Sequence, residues 1–257
     1  MAIPRFIVRL MVAGTLIAWS SYAPTVFAAS VFVENGVHTG DGTFPGFTLT
    51  GAAGTPVTLT SLTITPSGAT SAGSTVGDIY TFGDYFYSEA LSDFAYARVE
   101  QTFMGDGVTD FNYVSGLLAN TLGELANASG SFLFQQAFDL AGETDRVTYA
   151  FDYWTTFSST VDPPGVAYGV SNYRFALYGF DEDGNAVGPA LSPVFTVDSR
   201  LTPDGLYGQG SLSLDGISSG YITAVCDWFG TADPVPEPAT LSLLALGGLA
   251  VLKRRHR

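Results

Sequence analysis

The sequence predicts an all-β fold: an antiparallel β-sandwich, with a jelly roll as the variant in view, set between an N-terminal signal peptide and a C-terminal apolar helix. Three observations predict it. Aromatic and β-branched residues alternate with polar ones over short runs, the period of a strand whose two faces meet different surroundings. Gly-, Pro- and Asp-rich steps punctuate those runs. The chain also holds 13 Tyr and 19 Phe, enough to fill a core between two sheets.

The elements follow in order of clarity. In "VTYAFDYWTTF", Val147, Tyr149, Phe151, Tyr153 and Phe157 share one face, and Thr148, Asp152, Trp154 and Thr156 share the other. "YITAVCDW" puts Ile222, Ala224, Cys226 and Trp228 in one phase. Further strands are expected at "SFLFQQAF" from Ser131, "YRFALYGF" from Tyr173 and "PVFTV" from Pro193. Turns are expected at Asp162-Pro163-Pro164-Gly165, Asp183-Gly184, Pro203-Asp204-Gly205 and Asp215-Gly216. In "VTLTSLTIT" the threonines at 58 and 60 fall out of phase with those at 63 and 65, so a bulge is expected at Ser61. "SGLLANTLGELANA" from Ser115 reads as a single short helix, although it carries two glycines.

The ends read as addresses. Arg5 and Arg9 precede the apolar stretch Leu10–Trp19, and Val26-Phe27-Ala28 is a small-x-Ala cleavage site, so residues 1–28 are expected to be a signal peptide removed after Ala28. The β-sandwich is then expected over 29–230, a linker with a Pro-Glu-Pro step over 231–238, an apolar segment over 239–252 and a basic tail over 253–257. Ala239–Leu252 holds 14 residues without a charge, which as a helix would span roughly 21 Å, short of the ~30 Å hydrocarbon core. Pro238 blocks its extension upstream, and Lys253, Arg254, Arg255 and Arg257 act as stop-transfer cations on the cytoplasmic side.

Pro236, Glu237 and Pro238, followed by the apolar run and the arginine-rich end, resemble the PEP-CTERM sorting signal of Gram-negative bacteria, a region also described at the end of some ice-binding proteins. The resemblance implies an exosortase-type membrane protease as partner, transient contact with the inner membrane, and release to the cell surface or an exopolysaccharide-rich biofilm matrix. It names an address and no activity.

Composition narrows the central region of about 205 residues, the size of one or at most two domains. Its cations are Arg98, Arg146, Arg174 and Arg200, set against 23 acids before Pro236, a net charge of −19. Such a surface repels nucleic acid, which needs a basic face. The lone Cys226 forbids an internal disulfide, so an exported chain must rely on its apolar core.

Little catalytic chemistry is legible, and the reading is of a protein that is not an enzyme and needs no cofactor. His38 is the only histidine before the tail, lies in the glycine-rich "NGVHTGDGT", and has no GxSxG serine to serve. One His and one Cys do not make a zinc site without several carboxylates, and Gly83, Gly105 and Gly107 fit no phosphate-binding pattern. A glycan-degrading enzyme would need two carboxylates facing one cleft, and the sequence singles out no pair. Asp181, Asp183 and Asn185 of "DEDGN" place oxygens at alternate positions as calcium loops do, but the glycine is fourth rather than sixth and the twelfth residue is Ser192, so a hairpin turn is the simpler reading. Asp106 and Asp110 in "GDGVTD" stand in the same position.

Aromatics are the other lead. Tyr80, Tyr85 and Tyr87 of "YTFGDYFY", beside Asp84, and Trp154 on the polar face of its strand have the apolar faces and polar edges with which β-sandwich modules stack on sugars. The alternative is that these rings fill the core. Outward threonines at 58, 60, 63 and 65 resemble part of an ice-binding rank, though threonine is also an ordinary outward strand residue. The function expected is structural or adhesive in a matrix, with glycan binding as the alternative and calcium-dependent adhesion, ice binding and glycan cleavage behind it.

Overall fold

A computed structural model describes residues 29–38, 48–51, 55–82, 85–92, 95–104, 110–119, 124–141, 143–161 and 165–234. Fifteen strands run in antiparallel pairs: β1 (Ala29–His38), β2 (Thr48–Gly51), β3 (Thr58–Ala72), β4 (Thr75–Val76), β5 (Asp78–Phe82), β6 (Tyr85–Leu91), β7 (Ala95–Met104), β8 (Asp110–Ala119), β9 (Ala126–Asp139), β10 (Asp145–Val161), β11 (Val166–Phe180), β12 (Ala186–Leu191), β13 (Phe195–Asp198), β14 (Leu206–Ile217) and β15 (Ser219–Asp233). One sheet has the order β14-β10-β1-β8-β7-β6-β5, the other β12-β11-β15-β9-β3-β4.

Two short strands complete each long one. β1 pairs with residues 152–161 of β10 and β2 with 147–150, so the two lie end to end along one edge of β10. β12 and β13 likewise share one edge of β11. Between them Ser192 keeps the ladder closed: its N–H donates to the Phe175 carbonyl, and its Oγ accepts from the Phe175 N–H, both at 2.9 Å. A hydroxyl thus stands in for a backbone carbonyl where the edge changes strands.

The strict alternation of β10 puts Tyr149, Phe151 and Tyr153 inward from the first sheet; β11 answers with Tyr173, Phe175 and Leu177 from the second. Phe151 and Phe175 stack across the gap with centroids 3.8 Å apart at 11°, and Tyr153 meets Tyr173 at 4.7 Å and Phe195 at 5.0 Å. Phe132, Phe134 and Phe138 of β9 and Ile222, Ala224, Cys226 and Trp228 of β15 extend the same core. Burying one such ring removes roughly 150–250 Å² from water, a gross transfer term of about 4–6 kcal/mol.

One polar cluster is pinned inside this core. Asn35 Oδ1 on β1 accepts from Thr155 Oγ1 on β10 at 2.9 Å and from Ser171 Oγ on β11 at 2.6 Å. The Tyr173 hydroxyl donates to the Trp154 carbonyl at 2.6 Å and lies 2.7 Å from Thr155 Oγ1. These bonds join the two sheets at one register, because a slip by one residue would leave the polar groups buried without partners.

Several expectations need correction. The stretch from Ser115 is strand, not helix: residues 115–119 belong to β8, whose backbone is paired on both sides by β1 and β7, and β9 begins at Ala126. Two flanking ladders outweigh local helix propensity. His38 closes β1 rather than sitting in a loop. Asp215-Gly216 is a bulge inside β14, where two residues oppose Arg146 alone and Gly216 has a φ of 71°. β15 runs on to Asp233, so strand occupies the first three residues of the expected linker. The β3 bulge falls where the sequence placed it, the register shifting between Leu59 and Leu62. Asp162–Pro164, the signal peptide with Ala28, and the tail with Pro236, Glu237, Pro238, Lys253, Arg254, Arg255 and Arg257 lie outside the described residues. Among those described, no helix is long and apolar enough to cross a membrane.

Two outcomes follow. Phe175→Ala, which leaves Phe151 facing a void, should lower unfolding free energy by about 3–5 kcal/mol in denaturant titration. Cys226 is fully buried and burial pushes its thiol well above the usual range, so a thiol reagent should label it only at the rate of global unfolding. Rapid labelling of the native protein would mean that β15 is not held in the core.

Candidate functional site

The two outer sheet faces carry the remaining chemistry, since alternation that sends the core rings inward sends every second side chain to solvent. On the first sheet, Tyr80 of β5 lies directly across from Tyr87 of β6. Their ring centroids are 6.2 Å apart, and Tyr80 is 58% exposed. The Arg98 guanidinium sits 5.1 Å from the centre of the Tyr87 ring, and the Tyr87 hydroxyl donates to Glu89. Tyr96 is tied to the same carboxylate. Desolvation, then the hydrogen bond to Glu89, push the Tyr87 phenol far above its ordinary range, so at neutral pH both phenols are donors beside a carboxylate. Tyr85 lies two residues before Tyr87 on the same strand; its side chain, like Asp84, is outside what the structure describes.

Trp154 occupies the same sheet but not the same cluster. β10 is four strand positions from β6, roughly 19 Å at the usual spacing. Its indole lies flat over Gly36 of β1, where any Cβ would collide with the ring. The residue opposite it on β14 is Tyr207, 53% exposed, whose phenol is raised by desolvation and by its hydrogen bond to Asp152. Trp154, Tyr207 and Asp152 therefore form a second group of two rings and a carboxylate. Sequence reading found Trp154 but missed Tyr207, because glycines thin the apolar phase of "LYGQGSLSLDG" and Tyr207 falls in its polar phase. The only signal available was its fit as a partner strand for β10.

The acidic hairpin has a different use. Asp181 Oδ1 accepts from the N–H groups of Asp183 (3.0 Å) and Asn185 (2.8 Å), and Oδ2 accepts from Asn185 Nδ2 at 3.1 Å. Gly184 at φ 79° completes the β11–β12 turn. Asp181 and Asn185 spend their oxygens and amides on each other, as an Asx-type turn does. Among the described residues no group of three or more His, Cys, Asp and Glu could hold a metal ion. Thr58, Thr60, Thr63 and Thr65 are exposed, but Thr63 faces Gln135 and Thr65 faces Leu133 on β9, so the rank is one strand wide.

Residues 234–257 match the PEP-CTERM protein-sorting motif. The motif marks an exported protein for processing by an exosortase, a membrane protease, and for sorting to the cell surface in Gram-negative bacteria. No curated protein and no solved structure matches the chain.

The Asn185 amide holds the Asp181 carboxyl below its ordinary range, and the Arg200 guanidinium, at 2.5–3.2 Å, does so for Asp198. A carboxyl depressed in the folded state adds stability that is present above about pH 4 and is lost as pH falls through the lowered value. Asp198→Asn should therefore flatten the loss of melting temperature as pH falls below about 4. At neutral pH millimolar calcium should leave the wild-type melting temperature unmoved; a rise abolished by Asp181→Ala would make the hairpin a metal loop.

Proposed function

We propose that this chain is a β-sandwich cargo of the exosortase pathway, delivered to the cell surface or the extracellular matrix, where it has a structural or adhesive role in an exopolysaccharide layer and no catalytic one. The observation that carries the reading is the sorting motif itself, which begins at Pro234, one residue after β15 ends. The composition supports it: a net charge of −19 over residues 29–235 suits a soluble matrix component and disfavours nucleic acid and anionic lipid as partners. Three of the described carboxylates are engaged in turns and ion pairs, Asp198 with Arg200, Asp227 with Arg174 and Asp181 with Asn185.

A second reading is favoured by a specific observation. Tyr80 and Tyr207 are each more than half exposed, and each stands beside a further ring, Tyr87 and Trp154, an arrangement suited to stacking on a sugar. In that reading the protein is a glycan-binding module, and Tyr80, Tyr87, Trp154 and Tyr207 are the contact residues.

The first test is the intact mass of the protein recovered from its native host. Loss of everything beyond Pro236–Pro238, together with residues 1–28, is the expected result. A mass that retains Lys253 to Arg257 would overturn the sorting reading and make the tail a lasting anchor.

A further inference from the structure

The outer face of the second sheet carries a trough that none of the aromatic groups above uses. The cross-strand registers set its rows: Val170, Phe229, Ser129 and Ala69 in one, Asn172, Asp227, Ser131 and Ser67 in the next. Serine and alanine on β3 and β9 keep the floor low, with Gly68 and Gly130 between them, and the Trp228 indole lies directly beneath Gly130. The larger side chains of β15 and β11 stand above this floor as a wall. The hollow is about 470 Å³, within the range of small-ligand sites. A second hollow of about 320 Å³ shares Ala69, Ser129 and Phe229 with it and continues past Asn127 to Val76, so the trough runs on along β3 and β9.

Its wall is set in place before any ligand arrives. Phe229 is 41% exposed, and Tyr168 meets it edge-on at 5.9 Å, with the Arg200 guanidinium 4.3 Å from the centre of the Tyr168 ring. Asp227 accepts from Ser131 Oγ at 2.6 Å and pairs with Arg174. Asn172 Oδ1 accepts from Thr196 Oγ1 at 2.8 Å, which leaves its two amide hydrogens as donors. One fixed ring, a carboxylate with spare lone pairs, an amide donor and serine hydroxyls provide an apolar platform with hydrogen-bonding edges.

We propose that this trough binds a neutral glycan chain, with a sugar ring stacked on Phe229 and its hydroxyls held by Asp227, Asn172, Ser129 and Ser131. Neutrality follows from charge: Arg174 and Arg200 are both paired with carboxylates, and the surrounding surface is strongly acidic, so an anionic polymer would be repelled. Length follows from the continuation of the trough past Phe229 on both sides. The proposal rests on the matrix reading only in that a matrix supplies such a polymer, and it places the contact on the sheet opposite Tyr80, Trp154 and Tyr207.

The test is titration calorimetry of the processed protein against cellohexaose, laminarihexaose, mannohexaose and the neutral fraction of the host's own matrix polysaccharide, with polygalacturonate as the anionic probe. At least one neutral glycan should bind, with an affinity unchanged between 50 and 500 mM salt. Phe229→Ala should weaken it roughly tenfold or more, as loss of a central ring does. Ser129→Trp, which fills the floor from the solvent side, should abolish it, while Leu91→Ala, an exposed position on the first sheet, leaves it intact. Melting temperatures near the wild type's show that these surface variants fold. Binding that survives both Phe229→Ala and Ser129→Trp, a preference for polygalacturonate, or no binding to any neutral glycan overturns the proposal. Binding lost only in Tyr207→Ala transfers the site to the other sheet. The intact mass of the tail is independent of all these outcomes, so failure here leaves the sorting reading standing.

Discussion

The contact between Phe151 and Phe175 stands for the constraint on which the rest of the molecule depends. A single cysteine, itself buried, rules out an internal staple, so two large sheets are held by the rings packed between them and by buried polar contacts, the cluster around Asn35 and the Thr70–Ser88 hydroxyl pair at 2.8 Å. Aromatic packing is tolerant of angle and would by itself accept more than one register. The Asn35–Thr155–Ser171 bonds are not tolerant: buried hydroxyls and an amide oxygen must meet, and they do so only when β1, β10 and β11 are aligned as they are. The core thus holds the sheets together while the polar pin fixes which residues face which.

What was legible followed from this division. β10, β11, β9 and β15 were readable because each buries every second residue, and the Ser61 bulge was readable because it breaks the phase of a threonine run. Where strands carry small or glycine-rich residues the phase vanishes. The stretch ending at Ala119 looked like a helix, and Asp215-Gly216 looked like a turn, although both are held in ladders by their neighbours. An Asp-Gly step serves equally in a hairpin and in a bulge, and only the partner strand decides between them.

The same reason explains which surface groups could be found. Trp154 announced itself as a large ring in the polar phase of a clear strand, and Tyr80 and Tyr87 stood in one short run of sequence. Tyr207 and the sheet trough did not. The trough is assembled from β3, β9, β11 and β15, more than 160 residues apart along the chain at its extremes, and most of its floor consists of residues notable only for being small. A concavity made by what side chains lack leaves no motif; it becomes visible only when registers place Ser67, Ser131 and Asp227 in one row.

Fold and address are coupled at one end of the molecule. Ala29, the first described residue, pairs with Val161, and Asp233 pairs with Val166; only residues 162–165 separate those two partners, so both chain ends leave from the same pole. The sorting motif starts at Pro234, directly after β15, so the address joins the fold at the pole where β1 begins and β10 ends. The Asp233–Val166 and Ala29–Val161 pairings close both sheets there, so the motif follows a strand that is held in its ladder to its last residue.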